Sequence, residues 1–435
     1  MRNLLVLACF FLYCICIKAQ NWTLEQCIDY ALKNNLSIKQ QKLNFQLKEI
    51  NLNTAKMSLL PDVSARVNQS FGLGRALTSS NTYDLRNTAN TSVDVGANVT
   101  LFQGGYKRNN IVANKIMLNA AEQDLQKATD ELCINIASYY LQVLYAEEVV
   151  QLNQKQLQLS ISLHESIVHQ FELGKRAEVD VVKSIATIAQ DSLSLVNSQN
   201  EYQLALLDLA QLIDVDPENF TIVAPNGEIE FRMVMSPDNA YQTAMIDRAE
   251  IRAAELRVEN AEKQISIAKS SLYPTLNLSV GLGSNYYKSE GLSAPSFGKQ
   301  MKNNMSESIN ITLNIPVFSR FSTRNSVRSA KIQREQSEVE LELQKQHLRK
   351  QIEQAYYNVV AAETKYRSSN TAALSSKTAF NLIKSKYNLE MASKIELDEA
   401  RIDWIRNITN MIEAKYEYIF KLKILYFYVG EKITQ

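Results

Sequence analysis

Proline is absent from residues 62–216 and again from 317–435, and this governs what the chain can form. All seven prolines fall at 61, 217, 225, 237, 274, 295 and 316. Proline breaks helix interiors, so two very long stretches are free to be helical. From Tyr106 to Phe171 there is no glycine either. Leu118, Leu125, Leu132 and Tyr139 recur there every seven residues, as do Ala121 and Ala128. That period predicts coiled-coil-like packing rather than a compact globule. A helix from Tyr106 to about Gln170 would span about 100 Å. Phe171-Glu172-Leu173-Gly174-Lys175 then marks a turn, and a second helix returns over about 177–212.

Just before this helix the period changes. Val93, Val95, Ala97, Val99 and Leu101 alternate with Ser92, Asp94, Gly96, Asn98 and Thr100. Alternation of this kind is a strand with one apolar and one polar face. Val63, Ala65, Val67 and Phe71 alternate in the same way after Pro61. Together they predict a hairpin over about 62–102, with a polar loop from about Gly72 to Asn90. The corner Gln103-Gly104-Gly105 joins strand to helix.

The plan then recurs. Leu272-Tyr273-Pro274 matches Leu59-Leu60-Pro61, and Leu276, Leu278, Val280 and Leu282 alternate after it. Ile309, Ile311, Leu313, Ile315 and Val317 complete a second hairpin over about 275–318. Phe102 and Phe318, Arg108 and Arg324, and Phe171 and Tyr387 are all 216 residues apart. Several landmarks at one offset point to an internal repeat. The expected organisation is a signal peptide (1–19), repeat 1 (20–236) and repeat 2 (237–435). Repeat 1 holds long helices over about 106–212 and a non-helical connector at 214–236. Repeat 2 holds long helices over about 323–429. The second corner, Ser319-Arg320-Phe321, lacks glycine, so the two corners are expected to differ.

The N-terminus reads as a cleaved signal: Arg2, an apolar run from Leu4 to Ile17, then Ile17-Lys18-Ala19. The residues before Cys14 and Cys16 are too large for lipidation. Three cysteines leave with this segment, and Cys27 and Cys133 are expected to be buried thiols. With 47 basic and 46 acidic residues there is no basic stripe, so nucleic acid is not an expected partner. No metal-ligand spacing or cofactor motif occurs. His164, His169 and His347 form no catalytic set, and no phosphate loop is present, so no enzyme is expected.

Each alternating segment has about the 9–11 residues of a membrane-crossing strand. Phe71, Phe102, Tyr273, Tyr286, Tyr287 and Phe318 lie near the ends, as in an interfacial girdle. Four strands cannot close a barrel, and an open edge in lipid leaves backbone groups unpaired. Two copies would give eight strands and three would give twelve. An eight-stranded barrel is filled by its own side chains, so a conduit favours three. The fold expected is an α+β membrane protein: a trimeric 12-stranded β-barrel, four strands from each protomer, continued by a long α-helical barrel. The competing expectation is a secreted coiled-coil or adhesive protein, which leaves two hairpins at equivalent positions unexplained.

Several segments resemble the TolC-type outer-membrane efflux proteins: Trp22-Thr23-Leu24 through Ala31-Leu32-Lys33-Asn34-Asn35, Leu59-Leu60-Pro61, Leu101-Phe102-Gln103-Gly104-Gly105, Ile315-Pro316-Val317-Phe318 and both helical turns. Their order covers nearly the whole mature chain. The resemblance implies a homotrimer in the outer membrane of a Gram-negative bacterium, extending into the periplasm. It implies docking to a periplasmic adaptor and an inner-membrane pump, and passive export of drugs, small toxic molecules or proteins. It also implies a gate at the periplasmic helix tips, with Asp180 and Tyr387 in closure and Glu396 and Glu399 as acidic rings that favour cations. The family's usual aspartates are glutamates here. Its basic residue near the second turn would fall at Ala392, and the usual glycine of that turn is Glu390.

Overall fold

The computed structural model describes residues 20–77, 81–224 and 235–431. The expected signal segment, 1–19, lies outside the described residues, as do residues 225–234 of the connector. The elements in order are β1 (Gln20–Trp22), α1 (Leu24–Asn34), α2 (Leu36–Met57), β2 (Asp62–Gly72), β3 (Arg75–Leu77), β4 (Tyr83–Leu85), β5 (Thr88–Gln103), α3 (Tyr106–Glu172), α4 (Glu178–Ile213) and β6 (Phe220–Ile222). They continue with α5 (Pro237–Asp247), α6 (Ala249–Ser270), β7 (Thr275–Ser289), α7 (Phe297–Asn303), β8 (Ser306–Asn314), α8 (Ser322–Asn388) and α9 (Lys394–Tyr428). No helix among the described residues is long and apolar enough to cross a membrane.

The chain divides into two units, each discontinuous in sequence. The first comprises Met1–Leu43, Gln123–Arg252 and Leu343–Gln435. Its largest core gathers Cys27, Ile28 and Ala31 from α1, Ile136, Tyr140 and Leu144 from α3, and Leu206, Leu209 and Ile213 from α4. Helix α1 starts as its sequence dictates. The Thr23 hydroxyl accepts from the Gln26 N–H, and the Gln26 side chain accepts from the Thr23 N–H at 3.0 Å. Strand β1 is not legible in the sequence. It pairs in parallel with β6, Trp22 opposite Ile222, and the Tyr140 hydroxyl donates to the Val223 carbonyl beside it. Three residues carry too little alternation to be recognised alone. Cys27 and Cys133 are free thiols.

The second unit comprises Asn44–Glu122 and Ala253–Glu342. Its centre is a four-stranded antiparallel sheet in the order β2-β5-β7-β8. The register aligns the apolar residues across all four strands: Val63 with Ala97, Ala97 with Val280, and Val280 with Ile309. Serine, asparagine, threonine, aspartate and glycine dominate the opposite face, with Arg66 opposite Asp94. One detail departs from simple alternation. The register shifts between Thr100 and Phe102, so Phe102, not Leu101, pairs with Leu276 and continues the apolar row. The loops are also more structured than expected. A small β3–β4 hairpin sits between β2 and β5, and α7 sits between β7 and β8. Strand β8 ends at Asn314, so Ile315 and Val317 are not strand residues. Strand β7 runs past the end of β8. There the Gln300 carboxamide takes the place of a partner strand, accepting from the Tyr287 N–H at 3.0 Å and donating to its carbonyl at 3.1 Å.

The two corners share a pair of consecutive left-handed residues, but they differ as expected in how the strand reaches them: β5 runs directly into Gly104, whereas β8 ends at Asn314, ahead of Ser319-Arg320-Phe321. Gly104 and Gly105 have φ of 56° and 80°; Arg320 and Phe321 have 53° and 62°. At the first corner glycine is required twice over. The conformation is left-handed, and a Cβ on Gly104 would lie 2.6 Å from the Ser270 carbonyl oxygen and 2.8 Å from the Tyr273 Cβ. At the second corner two bulky residues carry the same strain. Phe318 meets Phe321 edge-on at 5.7 Å, and the Arg324 guanidinium lies 5.6 Å from the Phe321 ring centre. These contacts offset part of the cost.

Arg320→Gly is expected to stabilise the fold by about 1 kcal/mol by relieving left-handed strain. Gly104→Ala is expected to destabilise it by more than about 2 kcal/mol, through strain plus collision with backbone. Thermal midpoints of the detergent-solubilised protein check both, and an unchanged midpoint for Gly104→Ala would refute the crowding argument.

Candidate functional site

The site is built at the two helical turns, both within the first unit. Each turn closes in the same way. The Lys175 N–H donates to the Gln170 carbonyl at 2.9 Å, and the Met391 N–H to the Lys386 carbonyl at 2.8 Å. Each turn has a residue in the left-handed region, Gly174 at φ 72° and Glu390 at φ 61°. Glu390 thus adopts the conformation that glycine would take freely. Its exposed carboxylate lies 3.7 Å from the Lys175 ammonium of the other turn.

Tyr387 precedes the second turn and is 2% exposed. It packs with Leu163, Phe380 and Leu397. The Arg176 guanidinium sits over its ring, 4.3 Å from the centroid, and the Arg176 Nε donates to Gln170 Oε1 at 2.9 Å. The Tyr387 hydroxyl is buried with no hydrogen-bond partner among the described residues. Burial pushes the Tyr387 pKa up; Arg176 opposes that rise, and the carboxylates of Asp180 and Asp398 add to it. The structure therefore brings Asp180 into the electrostatic neighbourhood of Tyr387 but gives the Tyr387 hydroxyl no bond to it. Asp180 lies in the first turn of α4, its N–H bonded to the Ala177 carbonyl at 3.0 Å.

Arg176 is the residue that sequence reasoning overlooked. The cation over Tyr387 comes from the first turn, not from the second, where Ala392 stands. The only signal was its position two residues after Gly174.

Glu396 and Glu399 are both exposed on α9. Glu396 is also the third residue of a capping box. Its Oε2 accepts from the Ser393 N–H at 2.7 Å and the Ser393 hydroxyl at 2.9 Å, while the Ser393 hydroxyl accepts from the Glu396 N–H at 3.2 Å. These bonds, the backbone one foremost, hold its carboxyl below the ordinary value of 4.5. Within one chain this is opposite to the rise expected from like charges, because the nearest partner is a donor. Glu396, Glu399 and Asp403 line an open groove of about 490 Å³. Ala372, Ser375, Ser376, Ala379 and Ile383 of α8 form its other wall. The groove can hold a cation or a polar solute, and nothing in it suggests bond-making chemistry. No group of metal-binding side chains occurs among the described residues. The corner residues Gln103, Gly104 and Gly105 belong to the second unit and end β5, with Gln103 opposite Thr275.

Two outcomes follow from this geometry. Tyr387→Phe should change the thermal midpoint little, costing less than about 0.5 kcal/mol, because the hydroxyl it removes has no partner. Arg176→Ala, which removes the cation over the ring, should cost about 1 kcal/mol. For Glu396 the sign is that of a depressed carboxylate. Its stabilisation of the α9 start is present above 4.5 and is lost as pH falls through the depressed value. Hydrogen exchange of the first-turn amides of α9 should accelerate over that window in the native protein but not in Glu396→Gln.

The family model for "Outer membrane efflux protein" matches residues 27–214 and 240–431. The outer membrane efflux protein BepC of Brucella suis is 19% identical over 397 residues, covering 91% of this chain and 83% of that protein. The outer membrane protein TolC of Escherichia coli is 22% identical over 383 residues, covering 85% and 74%. Among solved structures, the outer membrane protein VceC of Vibrio cholerae superposes with a TM-score of 0.79 at 18% identity, over 94% of this chain and 96% of that one. The CmeC outer membrane channel of Campylobacter jejuni gives 0.80 at 17% identity, over 94% and 85%. The chain thus belongs to the outer membrane efflux protein family, as a TolC-type channel of the outer membrane that extends into the periplasm.

Proposed function

We propose that three copies of this chain form a passive exit duct, gated at the helix tips, for a tripartite efflux or type I secretion system. The observation that carries this reading is the pair of open sheet edges. β2 and β8 each have a partner on one side only. Val63, Val67, Phe71, Ile309 and Ile311 on these edge strands are 66% to 73% exposed. An apolar face suits lipid, but lipid offers no partner for free N–H and C=O groups. Pairing β2 of one copy with β8 of the next removes both edges, and three copies give twelve strands with room for a lumen. The lumen would then be lined by the polar face, including Asp94, Asn98, Asn277 and Asn310.

Helix α2 supports the same assembly. Leu36, Leu43, Leu47, Ile50 and Met57 are all more than half exposed and follow a heptad spacing. An apolar seam of this period calls for a neighbouring helix. The matching order of elements before and after the connector supports two repeats, 20–236 and 237–435. Glu396, Glu399 and Asp403, repeated three times about an axis, would ring the entrance and favour cations. Arg176 over Tyr387 and Lys175 beside Glu390 tie one turn to the other, which suits a closed resting state.

An inner-membrane pump and a periplasmic adaptor would supply energy and cargo, in keeping with a sequence that carries no phosphate-loop motif. Its relatives span several cargoes by name: AprF of Pseudomonas aeruginosa is an alkaline protease secretion protein, and OpmQ of Pseudomonas putida a pyoverdine export protein. Small toxic molecules and drugs are the cargo favoured here, with protein as the second choice. A coiled-coil adhesin would leave the four-stranded sheet without a role.

In detergent the protein should run at three times the chain mass by light scattering. In planar bilayers Glu396→Ala/Glu399→Ala should raise conductance and weaken cation selectivity and block. A monomer in mild detergent would overturn the assembly, and unchanged selectivity and block would overturn the gate.

A further inference from the structure

Behind the acidic groove lies a buried charge cluster. Asp191 of α4 is 3% exposed and Arg401 of α9 is 7% exposed. The Arg401 Nη1 lies 2.8 Å from Asp191 Oδ2. The same oxygen accepts from the Ser160 hydroxyl at 2.5 Å, and Oδ1 accepts from Gln156 Nε2 at 2.6 Å; both donors are on α3. Three helices thus meet on one carboxylate. Arg401 Nε is buried without a partner among the described residues, so this arginine is held through the Asp191 side of its guanidinium.

The placement on α9 matters. Arg401 is two residues beyond Glu399, about 200° around the helix. The acids Glu396 and Glu399 face the groove, and Arg401 faces away from it into α3 and α4. The groove wall on α8 is alanine and serine with Ile383, and beside it Phe380 stacks on Trp404 of α9 at 5.1 Å, a contact that holds α8 and α9 together without fixing a polar geometry. The back of α9 is held by a directional ion pair. A buried ion pair is poor evidence for stability, since an apolar pair of similar volume often does as well, but it accepts only one geometry. Its neighbours along α4, Ser184 and Ser198, are also small, polar and buried at seven-residue spacing. The α3–α4 seam therefore supplies register through polar contacts as well as through bulk.

We propose that Asp191 and Arg401 are positioning residues for the gate. Their clamp sets the rotation of α9 about its own axis, and with it the direction in which Glu396 and Glu399 present carboxylates to the groove. This rests on the reading of that groove as the channel entrance.

Two readouts on the full-length protein test it. The first is the rate at which Glu399→Cys, in a Cys133→Ala background, reacts with a bulky anionic thiol reagent; Cys27 is fully buried. Adding Arg401→Met is expected to change that rate by about threefold or more, and Arg401→Lys is expected to restore much of it. The second is block by a trivalent lanthanide ion in planar bilayers. Its midpoint should rise about tenfold in Arg401→Met and in Asp191→Asn. If a single variant does not fold, Asp191→Leu/Arg401→Met replaces the pair with packed apolar groups and should fold, yet show the same altered rate and midpoint. A folded trimer of either kind with the parent labelling rate and block midpoint overturns the clamp. If Glu396→Ala/Glu399→Ala leaves lanthanide block unchanged, the gate reading is what fails, and the labelling rate still decides whether the clamp orients α9.

Discussion

A backbone N–H or C=O cannot be left unpaired in hydrocarbon, and the organisation of this protein depends on that rule. The four-stranded sheet is apolar on one face and polar on the other, and it ends in two open edges. In the proposed assembly, its alternation gives each strand a side for lipid and a side for water, and closure comes from the strands of further copies. Where β7 outruns β8 within the chain, the Gln300 carboxamide satisfies the exposed backbone of Tyr287. The same requirement, applied to β2 and β8, is the basis for proposing that copies pair edge to edge.

The corners show how a fixed geometry can be reached at different energetic cost. Each strand-to-helix corner needs two consecutive left-handed residues. One has Gly-Gly, which takes that conformation without steric penalty and lets backbone approach closely; the other has Arg-Phe, braced by Phe318 and Arg324. Absence of glycine thus did not remove the left-handed pair. Glu390 tells the same story at the second helical turn, where the chain-reversing hydrogen bonds force φ to 61°.

At the tips, chemistry is shared between what is exposed and what is buried. Exposed acids line the groove, while Tyr387, Arg176, Asp191 and Arg401 lie beneath the surface and join helices distant in sequence. Long coiled helices packed by apolar residues alone would have several registers of similar energy. Buried polar contacts such as Gln156 and Ser160 on Asp191, or His164 against Ser184, admit one register.

The long helices, the four alternating strands and both turns were legible from sequence, because periodicity, proline spacing and glycine act locally. Each of those signals reports the preference of a residue for its immediate neighbours. What the tertiary structure alone decided was everything that joins distant segments: β1 with β6, the shift that puts Phe102 in the apolar row, Arg176 rather than a residue near Ala392 over Tyr387, and the Asp191–Arg401 pair. A three-residue strand has no period to detect, and an ion pair between residues 210 apart leaves no pattern along the chain. Local preference set the elements; packing of elements set which side chains meet.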